Sequence, residues 1–200
     1  MLSVVIATHD SERALLPTLS ALVAGAGAGI VREVIVADAG SADATAAIAD
    51  AAGCHFLSFA LPRGARLKAA AQAARAPWLM FLVPGTVPDA TWVDETRRFI
   101  EQAELRGCAG TYAAVFRPGS AAFRPALIEA LALLWASLGG GPSAGQGLLI
   151  AKGLYDSIGG HRDVGEPERD LARRLGRRRL VMLRSGALAV AGEKIVDFVK

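Results

Sequence analysis

Two stretches decide the fold of this chain: SVVIATHD at residues 3–10 and VIVADAGSADAT at residues 34–45. Each begins with a run of apolar residues and ends in polar side chains, and a helical stretch at residues 12–23 lies between them. A strand, a helix and a second strand in this order are typical of a parallel sheet. Because the apolar runs show no alternation with polar residues, we expect helices on both faces of that sheet.

The alternation of strands and helices continues along the chain. We predict strands at residues 2–6, 33–37, 54–59, 78–82, 110–116, 148–150 and 180–184. We predict helices at residues 12–23, 42–52, 65–75, 91–104, 124–138, 152–158 and 168–175, with a glycine-rich loop at 139–147. The sequence holds no internal repeat and no linker, and 200 residues suit one domain. The predicted fold is therefore a Rossmann-related, open, mostly parallel α/β sheet in a single domain, 1–200.

The composition excludes several classes of protein. Hydrophobic residues make up 52% of the chain and charged residues 20%, values that a disordered or low-complexity chain does not show. The net charge is only +3 and no basic stripe is present, so we expect no nucleic acid as a partner. Cys54 and Cys108 lie far apart and predict neither a disulfide framework nor a zinc site. His9, His55 and His161 lack the spacing of metal ligands, and we assign them ordinary polar roles.

Polar side chains follow the predicted strands at the edge where such sheets bind ligands, beyond the carboxyl ends of the strands. They are Thr8 and Asp10 after the first strand, Asp38 after the second, and Arg63, Arg66 and Lys68 after the third. Carboxylates in a turn of small residues suit a nucleoside, and cations suit phosphates. The alternative is that Ser41 or Asp43 simply caps the next helix. Capping leaves Asp38 unexplained, and a carboxylate there can accept the N–H of a base.

Five blocks of the sequence, in order, match patterns of a known family. SVVIATHD resembles S-V-V-I-P-T-Y-N, and VIVADAGSADAT resembles V-I-V-V-D-G-G-S-T-D-G-T. Residues 63–82, RGARLKAAAQAARAPWLMFL, are similar to G-R-A-x-Q-x-N-x-G-A followed by W-L-L-F-L. GQGLLIAKGLYDSIGG at 145–160 and PERDLARRLG at 167–176 resemble G-D-Q-G-L-F-V-R-R and E-D-x-D-L-x-R-R-L. Together they resemble the family 2 glycosyltransferases of the GT-A type, over most of the chain.

The resemblance implies a GT-A-like fold and a nucleotide-sugar partner. Members of this family transfer a sugar from a nucleotide diphosphate sugar, usually a UDP-sugar, to an acceptor. The resemblance further implies that residues 1–90 form a nucleotide-binding half. Residues 91–200 would form an acceptor-side half.

The resemblance also assigns roles to single residues. Carried over by position, Thr8 contacts the nucleoside, Asp38 reads the uracil and Arg63 lies in the diphosphate region. Gln146 falls on the acceptor-side loop. Glu168 falls on the carboxylate that acts as general base in inverting members and takes the proton of the acceptor hydroxyl.

The chain departs from the family where a metal site is expected. Family members carry a D-x-D-type motif after the fourth strand, whose carboxylates hold Mg²⁺ or Mn²⁺ on the diphosphate. Here residues 83–86 read VPGT and no carboxylate occurs before Asp89, so the metal ligands are predicted to be missing. Arg66 and Lys68 stand where the family has Gln and Asn. With Arg63, they are interpreted as cations that replace the metal, the alternative being that they are solvated on a helix face.

Three functions compete for these residues. The first is a glycosyltransferase that uses a UDP-sugar and an unknown acceptor, for which a lipid-linked compound is one option. The second is a non-catalytic relative acting as a nucleotide-binding, regulatory or assembly subunit, which the missing D-x-D motif favours. The third, a nucleotidyltransferase, fits less well because residues 7–10 lack the glycine and lysine of a phosphate loop.

We expect a cytoplasmic protein, with contact to the inner face of a membrane left open. The N-terminal residues lack the basic region of a signal peptide. The most apolar helix, at residues 126–138, contains Glu129 and is shorter than the roughly 20 residues that span a membrane. This helix, which carries Trp135, is a candidate to contact a lipid-linked acceptor or a second copy of the chain, with core packing as the alternative. The arginine tract at 173–179 is a candidate for anionic lipid or phosphate, or simply a favourable helix end.

Overall fold

The computed structural model describes residues 1–119 and 144–189, in which eight strands form one sheet. The strands are β1 (Leu2–Thr8), β2 (Val31–Asp38), β3 (His55–Ser58), β4 (Trp78–Leu82), β5 (Thr86–Pro88), β6 (Ala113–Gly119), β7 (Leu148–Ala151) and β8 (Leu180–Ala189). The helices are α1 (Glu12–Gly27), α2 (Thr45–Ala51), α3 (Arg63–Ala73), α4 (Trp92–Leu105), α5 (Lys152–Ser157) and α6 (Pro167–Leu175). Ala144–Gln146 and Arg177–Arg179 are short 3₁₀ helices.

The order of the strands places a crevice near the middle of the sheet. The order is β3–β2–β1–β4–β7–β6–β8–β5. β1 pairs in parallel with β2 on one side and with β4 on the other, and β3 extends the parallel part. Because the chain reverses its direction of progress across the sheet at β1, the carboxyl ends of β1 and β4 flank a topological switch point, where open α/β sheets bind ligands. β7 closes this crevice as an antiparallel neighbour of β4.

The central strands are covered on both faces. Every residue of β1 and of β4 is buried, as their unbroken apolar sequences predict. α4 has a different pattern, since Trp92, Thr96 and Ile100 recur every fourth residue and are buried. At Gly25 of α1 an added Cβ would lie 2.4 Å from the Trp92 ring, so α1 and α4 pack against each other at a point where only glycine fits.

The structure confirms an α/β fold with a parallel centre and corrects several predicted ends. α1 continues to Gly27, and β8 continues to Ala189. α2 begins at Thr45 instead of residue 42. The sequence does not predict β5, because three residues carry no pattern and this strand forms only where β8 runs beside it. The helix predicted at 124–138 and the loop residues 139–143 lie outside the described residues.

Neither cysteine is in a disulfide, and both are partly exposed. Within residues 1–119 and 144–189, no helix combines the length and the apolar character needed to cross a membrane. The membrane or dimer contact predicted for 126–138 concerns residues outside this range.

Candidate functional site

Asp38, the last residue of β2, lies at the centre of a set of hydrogen bonds. Its Oδ1 accepts from Thr8 Oγ1 at 2.7 Å and from Ser41 Oγ at 2.5 Å. Its Oδ2 accepts from the backbone N–H groups of Gly40 at 2.7 Å and Ser41 at 2.6 Å. Burial raises the pKa of this carboxyl, but the hydrogen bonds from Ser41, Thr8 and Gly40 outweigh burial and lower the pKa below its ordinary value. Asp38 is therefore ionised, and both of its oxygens are occupied by protein donors.

The loops after β1 and β2 are tied together at their exposed tips. The Asp10 N–H donates to Ser41 Oγ at 2.8 Å, and the Ala42 N–H donates back to Asp10 Oδ1 at 2.8 Å. Asp10 has φ +46°, a left-handed conformation that aspartate tolerates better than most residues. Ala44 precedes α2 and makes no cap hydrogen bond, but Asp43 Oδ1 accepts the N–H of Thr45, the first residue of α2, at 3.0 Å. The interpretation as a helix cap is therefore wrong for Ser41, whereas Asp43 does bond the start of the helix. Ser41 instead bridges the two loops.

Arg66 is buried beneath the ends of β1 and β2. The residue is 4% exposed, and its Nη1 donates to the carbonyl oxygens of Thr8 at 2.7 Å and Ala37 at 3.0 Å. Burial lowers the pKa of the guanidinium, the charge of Arg63 lowers it further, and the charge of Asp38 raises it. The guanidinium thus braces the backbone under Asp38, and the solvated-face interpretation is wrong for Arg66.

Lys68 differs from Arg66 although both lie on α3. Its side chain is exposed, and it forms no hydrogen bond or ion pair with any residue that the structure describes. The interpretation of Lys68 as a solvated cation on a helix face therefore agrees with the structure. Its predicted contact with a phosphate stays a prediction.

α3 and α6 meet through an ion pair between Arg63 and Glu168. The Nε and Nη2 groups of Arg63 donate to Glu168 Oε1 at 2.9 and 2.6 Å. The residues are 105 positions apart, and their side chains are only 15% and 19% exposed. Glu168 Oε2 accepts no hydrogen bond from the described residues. The fold thus joins the residue predicted for the diphosphate to the residue predicted as general base, and leaves one carboxylate oxygen available.

A close backbone contact fixes α3 against the loop that precedes α6. A Cβ added at Gly64 would lie 1.9 Å from the carbonyl oxygen of Arg162. Arg174 holds the same loop from α6, because it pairs with Asp170 at 2.7 Å and donates to the Gly160 carbonyl at 2.7 Å. This corrects part of the prediction for the arginine tract, since Arg174 is committed to the fold and not to lipid or phosphate.

His161 has a role that the sequence analysis missed. The residue is 1% exposed, and its ring packs edge-on against Phe81 with centroids 4.6 Å apart. Its Nδ1 lies 2.9 Å from Tyr155 Oη, which also accepts the His161 backbone N–H at 3.0 Å. Its Nε2 is buried without a hydrogen-bond partner among the described residues. Burial, with the charges of Arg63 and Arg174, lowers the pKa of the imidazole to about 3, so the ring is neutral.

A small cavity lies at the crevice between β4, β7 and α6. Its volume is about 20 Å³, enough for one water molecule. Glu168 and His161 line it together with apolar residues that include Leu82, Val83 and Gly147. We call this space the Glu168 cavity. It places an available carboxylate and a buried imidazole around one small space.

Gln146 and Gly147 border the crevice from the β7 side. Gln146 Nε2 donates to the Phe116 carbonyl oxygen at 3.1 Å. Gly147 has φ +66°, and a Cβ there would lie 2.7 Å from Leu82 Cδ2. The turn therefore packs directly on the end of β4, beside the Glu168 cavity.

The loop after β4 contains no carboxylate in place of the D-x-D motif. Gly85 has φ +86° and turns its N–H toward α1, where it donates to Thr18 Oγ1 at 2.9 Å. Thr86 is buried, and Asp89 is occupied, with its Oδ1 accepting the Thr91 N–H at 2.8 Å. The described part of the chain holds no group of three His, Cys, Asp or Glu residues that could bind a metal. Mg²⁺ and Mn²⁺ need several oxygen ligands, so this loop does not fit either ion.

The predicted site residues fall into two groups. The first, which we call the β1/β2 edge, consists of Thr8, Asp10, Asp38, Ser41 and Arg66. The second surrounds the Glu168 cavity and joins Arg63 to Glu168, with Gln146 on the adjoining turn.

The sequence model of Glycosyl transferase family 2 matches residues 3–133, and the chain belongs to this family. Among solved structures it is similar to glucosyl-3-phosphoglycerate synthase from Mycobacterium tuberculosis in complex with Mn²⁺, UDP and glucosyl-3-phosphoglycerate. The TM-score is 0.70 at 19% identity, over 96% of this chain and 73% of that one. It is also similar to S. aureus TarS 1-349 in complex with UDP-GlcNAc, with a TM-score of 0.67 at 14% identity, over 96% of this chain and 59% of that one. A search of curated protein sequences finds no match.

These matches confirm the predicted family and the GT-A-like fold. At identities of 19% and 14%, the solved structures show the fold alone. This chain spans about three fifths of TarS 1-349, whose activity therefore bears on this chain only as a proposal.

Proposed function

We propose that this protein transfers a sugar from a nucleotide diphosphate sugar, with UDP as the favoured nucleotide, and does so without a bound metal ion. The observation that carries the proposal is the Arg63–Glu168 pair at the crevice, with one oxygen of Glu168 available. A transfer site needs a cation for the departing diphosphate close to a base for the acceptor hydroxyl. The two similar structures named above contain UDP or UDP-GlcNAc, which supports a uridine nucleotide as the donor.

The nucleoside is proposed to lie on the β1/β2 edge. Asp10 is the accessible carboxylate there, with a side chain 52% exposed. Asp38 is 1% exposed, so reading a base would require Thr8 or Ser41 to release one of its hydrogen bonds. The main role proposed for Asp38 is to hold the turn after β2 in a conformation that a nucleoside can contact.

The diphosphate is proposed to meet cations in place of a metal. Lys68 is exposed on α3, and Arg63 begins the same helix. When the glycosidic bond to the diphosphate breaks, negative charge develops on the leaving group. Fixed cations at that point stabilise this charge, as a metal does in other members of the fold. The loop after β4 does not fit a metal, and for this reason no step of the proposal uses one.

Glu168 is proposed as the general base. The acceptor oxygen forms a bond to the anomeric carbon while the bond from that carbon to the diphosphate breaks, and the electron pair leaves with UDP. Oε2 of Glu168 takes the acceptor proton, and Oε1 stays with Arg63. This single displacement inverts the anomeric centre. Positioned base catalysis contributes roughly 10²- to 10⁴-fold to such a step.

The test is release of UDP from UDP-glucose and UDP-GlcNAc, with water or an added alcohol as acceptor, in the presence of EDTA or of Mn²⁺. We expect turnover in EDTA, and Mn²⁺ should change the rate less than about twofold. Glu168→Gln should lower turnover by roughly 10²- to 10⁴-fold. Glu166→Gln is the matched control, because Glu166 pairs with Arg169 at the exposed start of α6, with side chains 59% and 50% exposed. Equal activity of the two variants would overturn the role of Glu168.

A second candidate is a non-catalytic relative that binds a nucleotide. The full occupancy of Asp38 and the lack of a D-x-D motif in the loop after β4 favour it. Calorimetric titration with UDP and GDP, with and without Mn²⁺, separates the two. Metal-independent UDP binding that is lost in Asp38→Ala supports a working nucleotide site. Binding without any turnover of either UDP-sugar would establish the non-catalytic function, and no binding at all would exclude both.

The acceptor is proposed to approach from the β7 side, past Gln146. A lipid-linked acceptor and attachment to the cytoplasmic face of a membrane rest on residues 126–138, and are tested by cosedimentation with vesicles of anionic phospholipid. We expect the chain to cosediment with the vesicles if the apolar sequence at 126–138 contributes a membrane-binding surface. A chain that stays in the supernatant would remove the lipid-linked acceptor from the proposal.

A further inference from the structure

His161 presents an unpaired donor beside the proposed base. Tyr155 Oη accepts the His161 backbone N–H at 3.0 Å, and in the described part of the chain its own hydrogen has one acceptor, Nδ1 of His161 at 2.9 Å. A buried phenol that kept its hydrogen unbonded would lose the free energy of that bond. Tyr155 therefore donates to Nδ1. A neutral imidazole carries one N–H, so the proton of the ring lies on Nε2.

The Nε2–H group of His161 has no partner among the residues that the structure describes, although His161 is 1% exposed. Buried polar groups without a partner are rare in proteins, and one that lines a cavity indicates a ligand or an ordered water. The Glu168 cavity, of about 20 Å³, has room for one oxygen atom with its hydrogens. Glu168, also in its wall, has Oε2 available to accept a hydrogen bond.

We propose that His161 Nε2 and Glu168 Oε2 form a two-point site for one hydroxyl oxygen, which holds water in the free protein and the acceptor hydroxyl during transfer. The imidazole donates to the oxygen, and the carboxylate accepts its hydrogen, so that a lone pair of the oxygen is directed away from both. This inference deepens the proposed function and rests on it for the acceptor, whereas the water site stands on the geometry alone. His161 binds and orients the hydroxyl, and Glu168 takes its proton.

The rigidity of this site has an identifiable source. Phe81, Tyr155 and His161 all contact one another: Phe81 is stacked on Tyr155 with centroids 5.1 Å apart and edge-on to His161 at 4.6 Å, and the Tyr155 and His161 centroids are 5.5 Å apart. Gly160 lies against Tyr155, where a Cβ would be 2.8 Å from the ring. The imidazole therefore cannot turn to find another acceptor, and its donor stays directed at the position of the oxygen.

Two measurements test the water site without any activity. A crystal structure of the free protein should show one ordered water within hydrogen-bond distance of both His161 Nε2 and a Glu168 oxygen. The ¹⁵N NMR shifts of the His161 ring should report a neutral ring protonated at Nε2 between pH 5 and 8, and Tyr155→Phe should shift the proton toward Nδ1. An empty cavity, or a ring protonated at Nδ1 in the wild-type protein, would overturn the inference.

The acceptor role is tested with UDP-glucose as donor and glycerol as a probe alcohol. His161→Phe keeps the aromatic packing and removes the donor, so we expect about tenfold lower kcat, the worth of one hydrogen bond, with the KM for UDP-glucose unchanged within about twofold. His55→Phe, on exposed β3, is the control. Unchanged kcat in His161→Phe would overturn the acceptor role. If the wild-type protein itself turns over no UDP-glucose, the proposed function fails and the water site is judged from the crystal structure and NMR alone.

Discussion

The β1/β2 edge and the Glu168 cavity differ in how far their polar side chains are hydrogen-bonded within the protein. At the β1/β2 edge, Asp38 accepts four hydrogen bonds from the protein itself, and Arg66 donates to two backbone carbonyls. Around the cavity, residues 1–119 and 144–189 supply no donor to the second oxygen of Glu168 and no acceptor to Nε2 of His161. In the first region the Asp38 carboxylate is fully satisfied, although Arg66 Nε is buried without a partner among the described residues, whereas in the second region both polar side chains keep an atom without a protein partner in the described part of the chain.

The difference between the two regions distinguishes residues that stabilise the fold from residues that can act on a ligand. A polar network whose members satisfy one another holds a shape rigidly, because any rearrangement breaks several bonds together. A buried polar group left unpaired costs free energy in the folded protein, and a ligand recovers that free energy when it binds. We infer that the β1/β2 edge presents a preformed surface to a nucleoside, while the Glu168 cavity carries the groups that act on a hydroxyl.

The largest expected effect on stability comes from a substitution that disrupts the packing near the Glu168 cavity. Gly64→Ala places a Cβ 1.9 Å from the Arg162 backbone oxygen, and backbone cannot move as a flexible side chain can. We expect a loss of about 3 kcal/mol in the free energy of unfolding, as for severe overpacking, measured by urea denaturation. Gly165→Ala, where nothing lies within 4 Å of the added atom, should change stability by less than about 1 kcal/mol. Equal stability of the two variants would show that α3 does not fix this loop.

The second prediction is that the free energy of unfolding depends on pH because His161 is buried. Burial lowers the folded-state pKa of this imidazole to about 3, whereas the unfolded chain has an ordinary histidine near 6.5. Between these values the unfolded state binds a proton that the folded state excludes, so stability is lost as the pH falls below 6.5. The slope approaches about 1.4 kcal/mol per pH unit, or about 2 kcal/mol between pH 6.5 and 5.

The measurement is urea denaturation of wild type and His161→Phe across that pH range. Two arginines, Arg63 and Arg174, oppose protonation of the ring and Asp170 favours it, so the net direction rests mainly on burial. His161→Phe should remove the slope, and His55→Phe should keep it. An identical slope in all three proteins would show that the imidazole is not held neutral.

The smallest expected effect on stability comes from a substitution at the β1/β2 edge. Arg66→Met keeps an unbranched apolar stem and removes the donor to the Thr8 and Ala37 carbonyls. We expect about 1–2 kcal/mol lower stability, because a lost charged hydrogen bond is partly offset by no longer burying the charge. Lys68→Met, on the exposed face of α3, should stay within about 0.5 kcal/mol of wild type. Greater stability of Arg66→Met would mean that the guanidinium is retained for a ligand and not for the fold.

Sequence reasoning found seven of the eight strands that the structure describes, and the strand ends at which the candidate residues lie. Thr8, Asp38 and Arg66 were identifiable because each follows a strand within a few residues or begins the next helix, and such positions are local in the chain. Their contacts were not predictable in the same way. Arg66 looks like any helix cation in sequence, and only the packing of α3 on β1 and β2 buries it.

His161 shows why the sequence did not predict the arrangement around the Glu168 cavity. Nothing next to it in the sequence marks it except the preceding Gly-Gly pair. It contacts Tyr155 in α5 and Phe81 in β4, and Glu168 in α6 lines the same cavity. Burial of an imidazole depends on all of them at once, which a single position in the sequence does not encode.

The sequence by itself determined the family, the parallel centre of the sheet and the loss of the D-x-D carboxylates, because these depend on residue type and local order along the chain. Only the tertiary structure decided which polar groups are satisfied and which are left over. Glu168 and Arg63 are 105 residues apart, and the direct contact of their side chains exists only once α3 and α6 pack together. Hydrogen bonding is a property of distance and angle in space, and for this reason the division between a supporting edge and an unsatisfied cavity appears only in the folded chain.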